Sequence, residues 1–309
     1  MISDFVDGMK ANGQYLVANA AKCVTNAGLT YYNVELRDCS GNIAAKKWDA
    51  TEADEAIFVA GNVIYIDDGS VLQYRDNLQV KIVKAHLVNP ESIDFSVLLT
   101  PPPVPREELE RRFNAYVESV QDPDCRKLLD YFVNKYSSQL YVYPAGVSVH
   151  HEYSSGLLMH LTSMADLGEF LAKKYAPVNS DLLITGILLH DIGKLVELEG
   201  PVVYHYSTEG KLLGHISIMT AEIRIAAKEL GLTSEIPMLL EHMVLSHHDK
   251  PEFGSPVGPM IKEALLLTYI DNLDSKMAIA SKALDAVEPG EFTQKVYPLD
   301  NRTLYKPKK

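Results

Sequence analysis

The sequence predicts two domains, an all-β barrel followed by an all-α helical bundle. Three observations predict this division: β-rich runs fill residues 12–90, four prolines stand within residues 100–105, and helical periodicity follows them. A chain of 309 residues is long enough for two domains. We therefore expect a barrel domain over residues 1–95, a proline-rich linker over residues 96–108 and a helical domain over residues 109–309.

The predicted strands of the N-terminal half are separated by turn residues, as in hairpins. The runs YLVANAAKCV, LTYYNVELRD and IAAKKW are divided by Asn26-Ala27-Gly28 and by Ser40-Gly41-Asn42. A polar piece from Asp49 to Glu55 is expected to form one or two helical turns. Further strands are expected on either side of a turn at Asp67-Asp68-Gly69. Five or six strands with one helical insert are typical of the oligonucleotide/oligosaccharide-binding (OB) barrel, and a β-sandwich is the alternative.

Composition and charge describe an ordinary globular protein. Hydrophobic residues make up 47% of the chain and charged residues 23%, which allows a substantial core. The net charge of −12 argues against a broad basic face that coats duplex DNA.

The cysteines Cys23, Cys39 and Cys125 form no CxxC pair, so we expect reduced thiols in a cytoplasmic protein. The start, MISDFVDGMK, does not resemble a signal peptide, and the apolar run Leu182–Leu189 is too short to span a bilayer.

The helical half is predicted to contain several amphipathic helices. Apolar residues recur at helical spacing around His160, and they place this histidine on the apolar face of its helix. The segment DLLITGILLHDIGKLVEL is predicted as one continuous helix with Asp181 as its cap. Further helices are expected over about residues 213–230, 236–248 and 259–284.

Histidines and aspartates recur at separated points of these predicted helices. Nine of the ten histidines lie between positions 150 and 248. Neutral imidazole and carboxylate are the usual ligands of divalent transition metals, and a His-Asp pair on an apolar helix is costly unless it is bonded or metal-bound. The sequence therefore predicts a metal centre, whose candidate ligands are His160, His190, Asp191, His215, His247, His248 and Asp271.

The candidate ligands can hold two ions, because a carboxylate has two oxygens and an imidazole offers one lone pair. We expect one ion to be held by His160, His190, Asp191 and Asp271. We expect Asp191 to bridge to a second ion, held also by His215 and by His247 or His248. Two ions about 3.5–4 Å apart can clamp a phosphate and activate a water, so the pattern predicts metal-assisted hydrolysis. Imidazole-rich coordination favours manganese, iron or cobalt over magnesium.

The order H…HD…H…HH…D on a helical bundle resembles the HD-domain metal-dependent phosphohydrolases. More closely, HHEYSSGLLMHL, LLHDIGKLVELEGP, LLGHISIM, VLSHHDK, VGPMIKEA, YIDNLDSKM and PGEFTQKVY resemble the YhaM-type 3′–5′ exoribonucleases, over essentially the whole chain. The resemblance implies an OB fold before an HD domain, and a manganese-dependent exonuclease that shortens single-stranded RNA, or DNA in some members, from the 3′ end. The resemblance implies that His160, His190, Asp191 and Asp271 bind metal. It also implies that His215 and the adjacent pair His247-His248 correspond to the additional ligands of members with two metal ions.

Lys194 stands four residues after His190, one turn along the same face of the predicted helix. Such a cation can hold a phosphate oxygen or stabilise the leaving oxygen, although a lysine at a helix end is often only solvated. Its place in HDIGK, through the resemblance, assigns it to catalysis together with Asp191. His151 and Glu152, just before the first ligand helix, are expected to contact substrate at the pocket mouth or to cap that helix.

Strand alternation predicts a nucleic-acid platform on the barrel. In LTYYNVELRD, alternation puts Tyr31 and Arg37 on one face, and in IAAKKW it puts Lys46 and Trp48 opposite Ile43. Two aromatic rings and two cations can hold a single strand, with stacking worth about 1–3 kcal/mol per base. The alternative is that Trp48 belongs to the barrel core.

The sequence thus predicts an enzyme whose partner is single-stranded RNA, with single-stranded DNA as a further substrate and no membrane association. Two alternatives stay open. A nucleotide or cyclic-dinucleotide phosphohydrolase of the HD type would not need the barrel. A nucleic-acid-binding factor with little catalysis would be expected to have lost ligands. The aromatic residues Phe292, Tyr297 and Tyr305 near the C-terminus suggest a homo-oligomer that uses the tail as a clasp.

Overall fold

The structure is a computed structural model that describes residues 1–25, 28–75, 77–99, 103–143, 155–199 and 205–308. The chain divides into two compact units, one of Met1–Pro101 with Glu199–His205 and the other of Pro102–Leu198 with Tyr206–Lys309. A separate hydrophobic core lies inside the barrel and another inside the helical unit.

The first unit is a closed barrel. Its described strands are β1 (Gly13–Val24), β2 (Thr30–Asp38), β3 (Gly41–Lys47), β4 (Val63–Tyr74) and β5 (Asn77–Leu87), with the short helices α1 (Asp54–Ile57) and α2 (Phe95–Leu98) after β3 and β5. The strand order is β1-β2-β3-β5-β4, closed by pairing of β1 with β4. Strands β3 and β5 run parallel, and the other neighbours run antiparallel. This strand order confirms the predicted OB fold.

Strand β2 shows how the barrel separates its core from its outer face. Tyr32, Val34 and Leu36 are buried, whereas Asn33 and Glu35 between them are exposed. This strict alternation is the one predicted from the sequence, and it follows from the two-residue period of a strand. The outer face of β2 is therefore polar and accessible.

The turn predicted at Asp67-Asp68-Gly69 is wrong, because these residues lie inside β4. The register with β5 shifts between Ile66 and Asp68 and again between Asp68 and Gly69, so the pairing is irregular here, as it is at a β-bulge. A Cβ atom at Gly69 would lie 2.7 Å from the Ile66 side chain and 3.3 Å from the Lys81 carbonyl oxygen. The glycine thus allows close packing at an irregular position inside one long strand and does not end the strand.

The second unit is built from helices. They are α3 (Arg106–Ser119), α4 (Pro123–Lys135), α5 (Ser137–Leu140), α6 (Gly156–Lys174), α7 (Ser180–Leu189), α8 (Lys194–Glu197), α9 (Thr208–Glu229), α10 (Ile236–Ser246) and α11 (Lys262–Asp285). The two-residue strands β6 (Leu198–Glu199) and β7 (His205–Tyr206) pair with each other. No helix among the described residues combines the length and the apolar character that crossing a membrane requires.

Helix α7 is the centre of this unit, and it packs against α4, α6, α10 and α11. Its residues from Leu182 to Leu189 are all buried. A Cβ at Gly186 would lie 2.2 Å from the end of the Met243 side chain, so a larger residue there would require this flexible side chain to shift. The cap of α7 is Asn179, which accepts a hydrogen bond from the Leu182 amide; the predicted cap, Asp181, accepts from the main chain just before α4 instead.

The continuous helix predicted through the HDIGK segment is wrong. Helix α7 ends at Leu189, a turn occupies residues 190–193, and α8 begins at Lys194. In this turn the Lys194 amide donates to the Asp191 carbonyl, three residues back, in place of the i−4 bond of an α-helix. The tighter turn presents the adjacent side chains of His190 and Asp191 from a buried helix end.

Candidate metal centre

The fold brings the predicted metal ligands together from five helical segments. They come from the interior of α6, the end of α7, the middle of α9, the end of α10 and the interior of α11. Within each of three overlapping groups, the ligand atoms lie within 4.8 Å of one another. These groups are His160, His190 and Asp191; His190, His247 and Asp271; and His215, His247 and His248.

Asp191 lies at the centre of this cluster. Its Oδ2 atom is 3.6 Å from His160 Nε2 and 3.4 Å from His190 Nε2. Its Oδ1 atom is 3.5 Å from His215 Nε2 and 4.0 Å from His247 Nε2. The two oxygens therefore face two different pairs of imidazoles, which is the arrangement expected of a carboxylate between two ions.

Each imidazole of the centre donates its Nδ1–H to an oxygen acceptor. This hydrogen bond fixes the tautomer in which Nε2 carries the lone pair for a metal. The acceptors for His190, His247 and His248 are the main-chain oxygens of Ile187 (2.8 Å), Val244 (2.7 Å) and Phe253 (2.7 Å). For His160 and His215 they are the carboxylates of Asp274 (2.7 Å) and Glu197 (3.2 Å).

Several atoms that face the interior of the centre have no hydrogen-bond partner among the described residues. Nε2 of His190, His215 and His247 and Oδ1 of Asp191 are buried and have no hydrogen-bond partner in the described parts of the chain. Buried polar atoms without partners are costly in a folded protein. Converging imidazole nitrogens and a carboxylate oxygen suit a divalent transition metal, so the residues present fit a metal ion.

The protonation of the buried imidazoles also suits a metal. Burial lowers the pKa of His190. Burial, with the neighbouring His248 and His190, lowers the pKa of His247 well below its usual value. Both rings are therefore neutral near neutral pH, and neutral imidazole is the form that binds metals.

The carboxylates of the centre stay ionised. Burial favours their protonated form, but the Lys194 ammonium and the imidazoles hold the pKa of Asp191 well below its usual range. His160 likewise lowers the pKa of Asp271. Burial disfavours the charged form of His160, but hydrogen bonds to Asp271 and Asp274 raise its pKa to about 9. A metal must therefore displace a proton from His160 when it binds.

A break inside α9 positions His215. Gly214 has φ 71° and ψ 153°, which interrupts the helix just before the histidine. The His215 amide then donates to Glu197 Oε1 at 3.0 Å, and the same oxygen accepts from the imidazole. A Cβ at Gly193 would lie 2.3 Å from the His215 carbonyl oxygen, so the turn after Asp191 can approach α9 only with glycine there.

Sequence reasoning missed Glu197, which orients His215. Glu197 stands in a short charged segment that has no distinguishing pattern, and only the folded chain brings it to His215. Asp274 had a weak signal, its position three residues after Asp271 on the same helical face. Ser246, just before the adjacent histidines, donates to the main-chain oxygen of His242.

Lys194 lies beside the centre, although its helical relation to His190 is not the predicted one. Its Nζ is 2.7 Å from Asp191 Oδ2, and its side chain is 13% exposed. Burial lowers the pKa of Lys194, but the Asp191 carboxylate outweighs burial and raises it. The charged Lys194 ammonium therefore lies beside the candidate metal ligands.

A cavity of about 330 Å³ opens beside the centre. Its walls include the candidate ligands His247, His248 and Asp271. Its remaining wall residues are Phe253, Thr268, Asn272, Ser275, Lys276, Ile279 and Pro298. Ser275 donates to Asp271 Oδ1 at 3.3 Å. Lys276 is exposed and makes no ion pair within the described ranges. The cavity is at the lower end of the usual size of small-molecule sites.

The barrel brings together three of its four predicted binding residues. The rings of Tyr31 and Trp48 stack at 4.7 Å with an angle of 25°. Lys46 Nζ lies 5.4 Å and 5.1 Å from their centroids. Trp48 is 39% exposed and is not part of the core. Arg37 shares the outer face of β2 but stands six residues from Tyr31, about 20 Å along the strand, so it is not part of this stack.

A helical bundle that gathers these histidines and aspartates around one carboxylate defines an HD-domain protein. The family model for the HD domain matches residues 157–276, a range that contains all of the candidate ligands. HD domains are metal-dependent phosphohydrolases. His151 and Glu152 lie outside the described residues, so their role stays a prediction.

The chain is 41% identical over 301 residues to the 3′-5′ exoribonuclease YhaM of Geobacillus sp. (strain WCH70), an alignment that covers 97% of this chain and 93% of that relative. The chain belongs to the YhaM family of 3′–5′ exoribonucleases.

The barrel domain is also similar to solved OB domains. One is a replication protein A domain of Methanococcus maripaludis (18% identity, TM-score 0.24), and the match covers 28% of this chain and 92% of the chain of that structure. Another is an OB domain of Methanosarcina mazei (17% identity, TM-score 0.24), and the match covers 29% of this chain and 81% of the chain of that structure.

Proposed function

We propose that this protein is a metal-dependent exonuclease that hydrolyses phosphodiester bonds from the 3′ end of single-stranded RNA, and of single-stranded DNA. The observation that carries the proposal is the position of Asp191, whose two oxygens face separate sets of imidazoles. The 3′ polarity and the RNA substrate are inferred from the relative named 3′-5′ exoribonuclease YhaM.

We propose that the centre holds two manganese ions. One would be held by His160, His190, Asp191 and Asp271. The other would be held by Asp191, His215, His247 and His248, because both adjacent histidines lie within 4.8 Å of His215 at their ligand atoms. Manganese is proposed because the donors are mostly imidazole, which suits manganese, iron or cobalt better than magnesium.

Bound ions supply polarisation of the scissile phosphodiester and a water of lowered pKa. The residues of the chain do the rest. Lys194, charged and held beside Asp191, stabilises negative charge that develops on the phosphate oxygens. The cavity beside His248 receives the 3′-terminal nucleotide, and Lys276 on its wall pairs with a phosphate.

The barrel domain, residues 1–95, is proposed to hold the single strand that the helical domain, residues 109–309, hydrolyses. The stacked rings of Tyr31 and Trp48 and the ammonium of Lys46 support this role, because bases stack on aromatic rings and phosphates pair with cations. Arg37, on the same outer face, would contact a more distant nucleotide of the strand.

We also propose a homo-oligomer and a cytoplasmic location. Phe292 and Tyr305 pack on each other at 5.0 Å, yet they remain 64% and 44% exposed, and Tyr297 is 80% exposed. Such an apolar group near the chain end supports the predicted clasp between copies. The free thiols of Cys23, Cys39 and Cys125 are those expected of a protein in a reducing compartment.

The proposal is tested by metal analysis of the purified protein together with gels of end-labelled single-stranded RNA. With manganese, 5′-labelled RNA should shorten in single-nucleotide steps, while 3′-labelled RNA should release its label at once as a mononucleotide. A chelator should stop both reactions, and added manganese should restore them. Cleavage that starts inside the strand, or that persists in chelator, would contradict the proposed function.

A further inference from the structure

The outer face of the barrel carries a shallow recess beside the Tyr31–Trp48 stack. It has a volume of about 400 Å³ and is formed by β1, β2, β3 and β5. The small side chains of Ala21 and Ala44 leave space at its floor. Its polar walls are Asn19, Asn33, Glu35, Asn42 and Gln79.

Strand register arranges this face in two rows. The row nearer the stack contains two cations, and its members across the strands are Ala21, Asn33, Lys46 and Lys81. The next row contains amides and a carboxylate, and its members are Asn19, Glu35, Ala44 and Gln79. Residues two apart on a strand share a face, so both rows point outward. Phosphates therefore have partners in the first row, whereas the second row suits the uncharged edges of bases.

Glu35 stands in the middle of the second row. Its Oε1 accepts a hydrogen bond from Asn42 Nδ2 at 3.0 Å. Its other oxygen has no hydrogen bond, and the carboxylate no ion pair, to any part of the chain that the structure describes. A carboxylate repels phosphate, so Glu35 weakens contact with a nucleic-acid backbone. It accepts hydrogen bonds from the amino groups of bases, as carboxylates do from cytosine N4.

We propose that Glu35 reads the base that enters this recess and makes the barrel prefer cytosine over uracil. The inference rests on the proposed function, since it requires that the barrel binds single-stranded RNA. Cytosine and uracil have nearly the same size and stacking surface. Cytosine presents an amino group to the carboxylate, whereas uracil presents an N3–H between two carbonyl oxygens that the carboxylate repels. The flanking amides of Asn19 and Gln79 both donate and accept, so they bind either base.

The test is binding of the full chain to labelled oligocytidine and oligouridine of equal length, in chelator, so that binding is measured apart from hydrolysis. We expect the Kd for oligouridine to exceed that for oligocytidine about fivefold, the lower end of the range for base discrimination. In Glu35→Gln the ratio should fall to near one, because a glutamine amide can donate to uracil O4 or accept from cytosine N4. The matched control Glu52→Gln removes the same charge from an exposed barrel position outside the recess and should keep the ratio.

A ratio near one in the wild type, or a ratio that Glu35→Gln leaves unchanged, overturns the inference. Salt dependence separates base reading from backbone contact, since loss of a phosphate contact reduces the salt slope. The slope for Lys46→Met should therefore fall, while base preference is retained. A parallel assay with manganese keeps the two proposals distinct. If the wild type shortens RNA from the 3′ end but binds both oligomers equally, only the base preference fails; if it neither binds nor shortens RNA, both fail.

Discussion

Asp274 accepts a hydrogen bond from Nδ1 of His160 at 2.7 Å. The opposite nitrogen of the same ring lies 3.3 Å from Asp271, one turn earlier on α11. One helix therefore contacts both nitrogens of a predicted metal ligand, and the (i, i+3) spacing places both aspartates on one face. A carboxylate that accepts from the outer nitrogen orients the ring and makes it a better ligand.

The first prediction concerns this orienting bond. Asp274→Asn should lower the manganese affinity about 10–100-fold, because the amide is a weaker acceptor and no longer fixes the tautomer of His160. Activity should recover at high manganese concentration, which a loss of folding would not allow. Manganese titration of the RNA-shortening rate measures this shift. Asp285→Asn, an exposed change at the end of the same helix, is the control and should leave the titration unaltered; equal titrations for the two variants would contradict the role of Asp274.

The second prediction concerns the central carboxylate. Asp191→Asn should reduce hydrolysis about 10³-fold or more, because the amide is uncharged and has only one oxygen, so it cannot serve both sides of the centre. Binding of single-stranded RNA in chelator should stay at the wild-type level, since the barrel is untouched. Single-turnover rates and metal content measure the effect. Undiminished shortening of RNA by this variant would show that the centre is not the site of hydrolysis.

The third prediction separates catalysis from metal binding. Lys194→Met keeps the length of the side chain and removes its charge. We expect kcat to fall about 10²–10³-fold, the usual cost of one group that stabilises developing negative charge. Manganese content should stay unchanged, because the lysine offers no ligand in its charged form. Lys211→Met, at an exposed position of α9, provides the control; a kcat for Lys194→Met equal to that of the control would remove Lys194 from the mechanism.

The fourth prediction concerns the approach of the HDIGK turn to α9. Gly193→Ala places a Cβ 2.3 Å from the His215 carbonyl oxygen, a main-chain atom that can move only with its helix. We expect a loss of about 1–3 kcal/mol in the free energy of unfolding, typical of overpacking, together with a lower manganese content. Urea unfolding and metal analysis measure the two effects. At Gly258 the nearest atom to an added Cβ is 3.9 Å away, so Gly258→Ala should be tolerated, and equal stability of the two variants would contradict this account.

The fifth prediction concerns the aromatic stack. Trp48→Ala should weaken binding of single-stranded RNA about 5–150-fold, which corresponds to about 1–3 kcal/mol for one stacked base. Fluorescence anisotropy in chelator measures the affinity. Trp48→Phe keeps an aromatic face and should retain most of the binding. Hydrolysis of a dinucleotide, too short to need the barrel, should proceed at the wild-type rate, and a large loss there would mean that Trp48 has another role.

Much of the fold and of the metal centre could be predicted because both follow from local patterns. Alternation along LTYYNVELRD is enough to separate the buried Val34 from the exposed Glu35, because a strand repeats every two residues. The errors fall where tertiary packing overrides local preference. Gly69 was predicted to lie in a turn, but it lies at an irregular position inside β4, whose pairing with β5 continues on both sides. His190 and Lys194 read as one helical face, yet the buried turn between them shortens the helix.

The chain's own order of residues determined the two-domain architecture, the set of candidate metal ligands and the aromatic character of the barrel face. Ligand chemistry and strand or helix period are properties of residue type and spacing. Only the tertiary structure decided that each oxygen of Asp191 faces its own set of histidines and that Glu197 and Asp274 hold two of these rings. It also set Arg37 apart from the stack that Lys46 joins. These relations join residues far apart in the chain, and their distances are set by packing between helices and by register between strands, which no local pattern records.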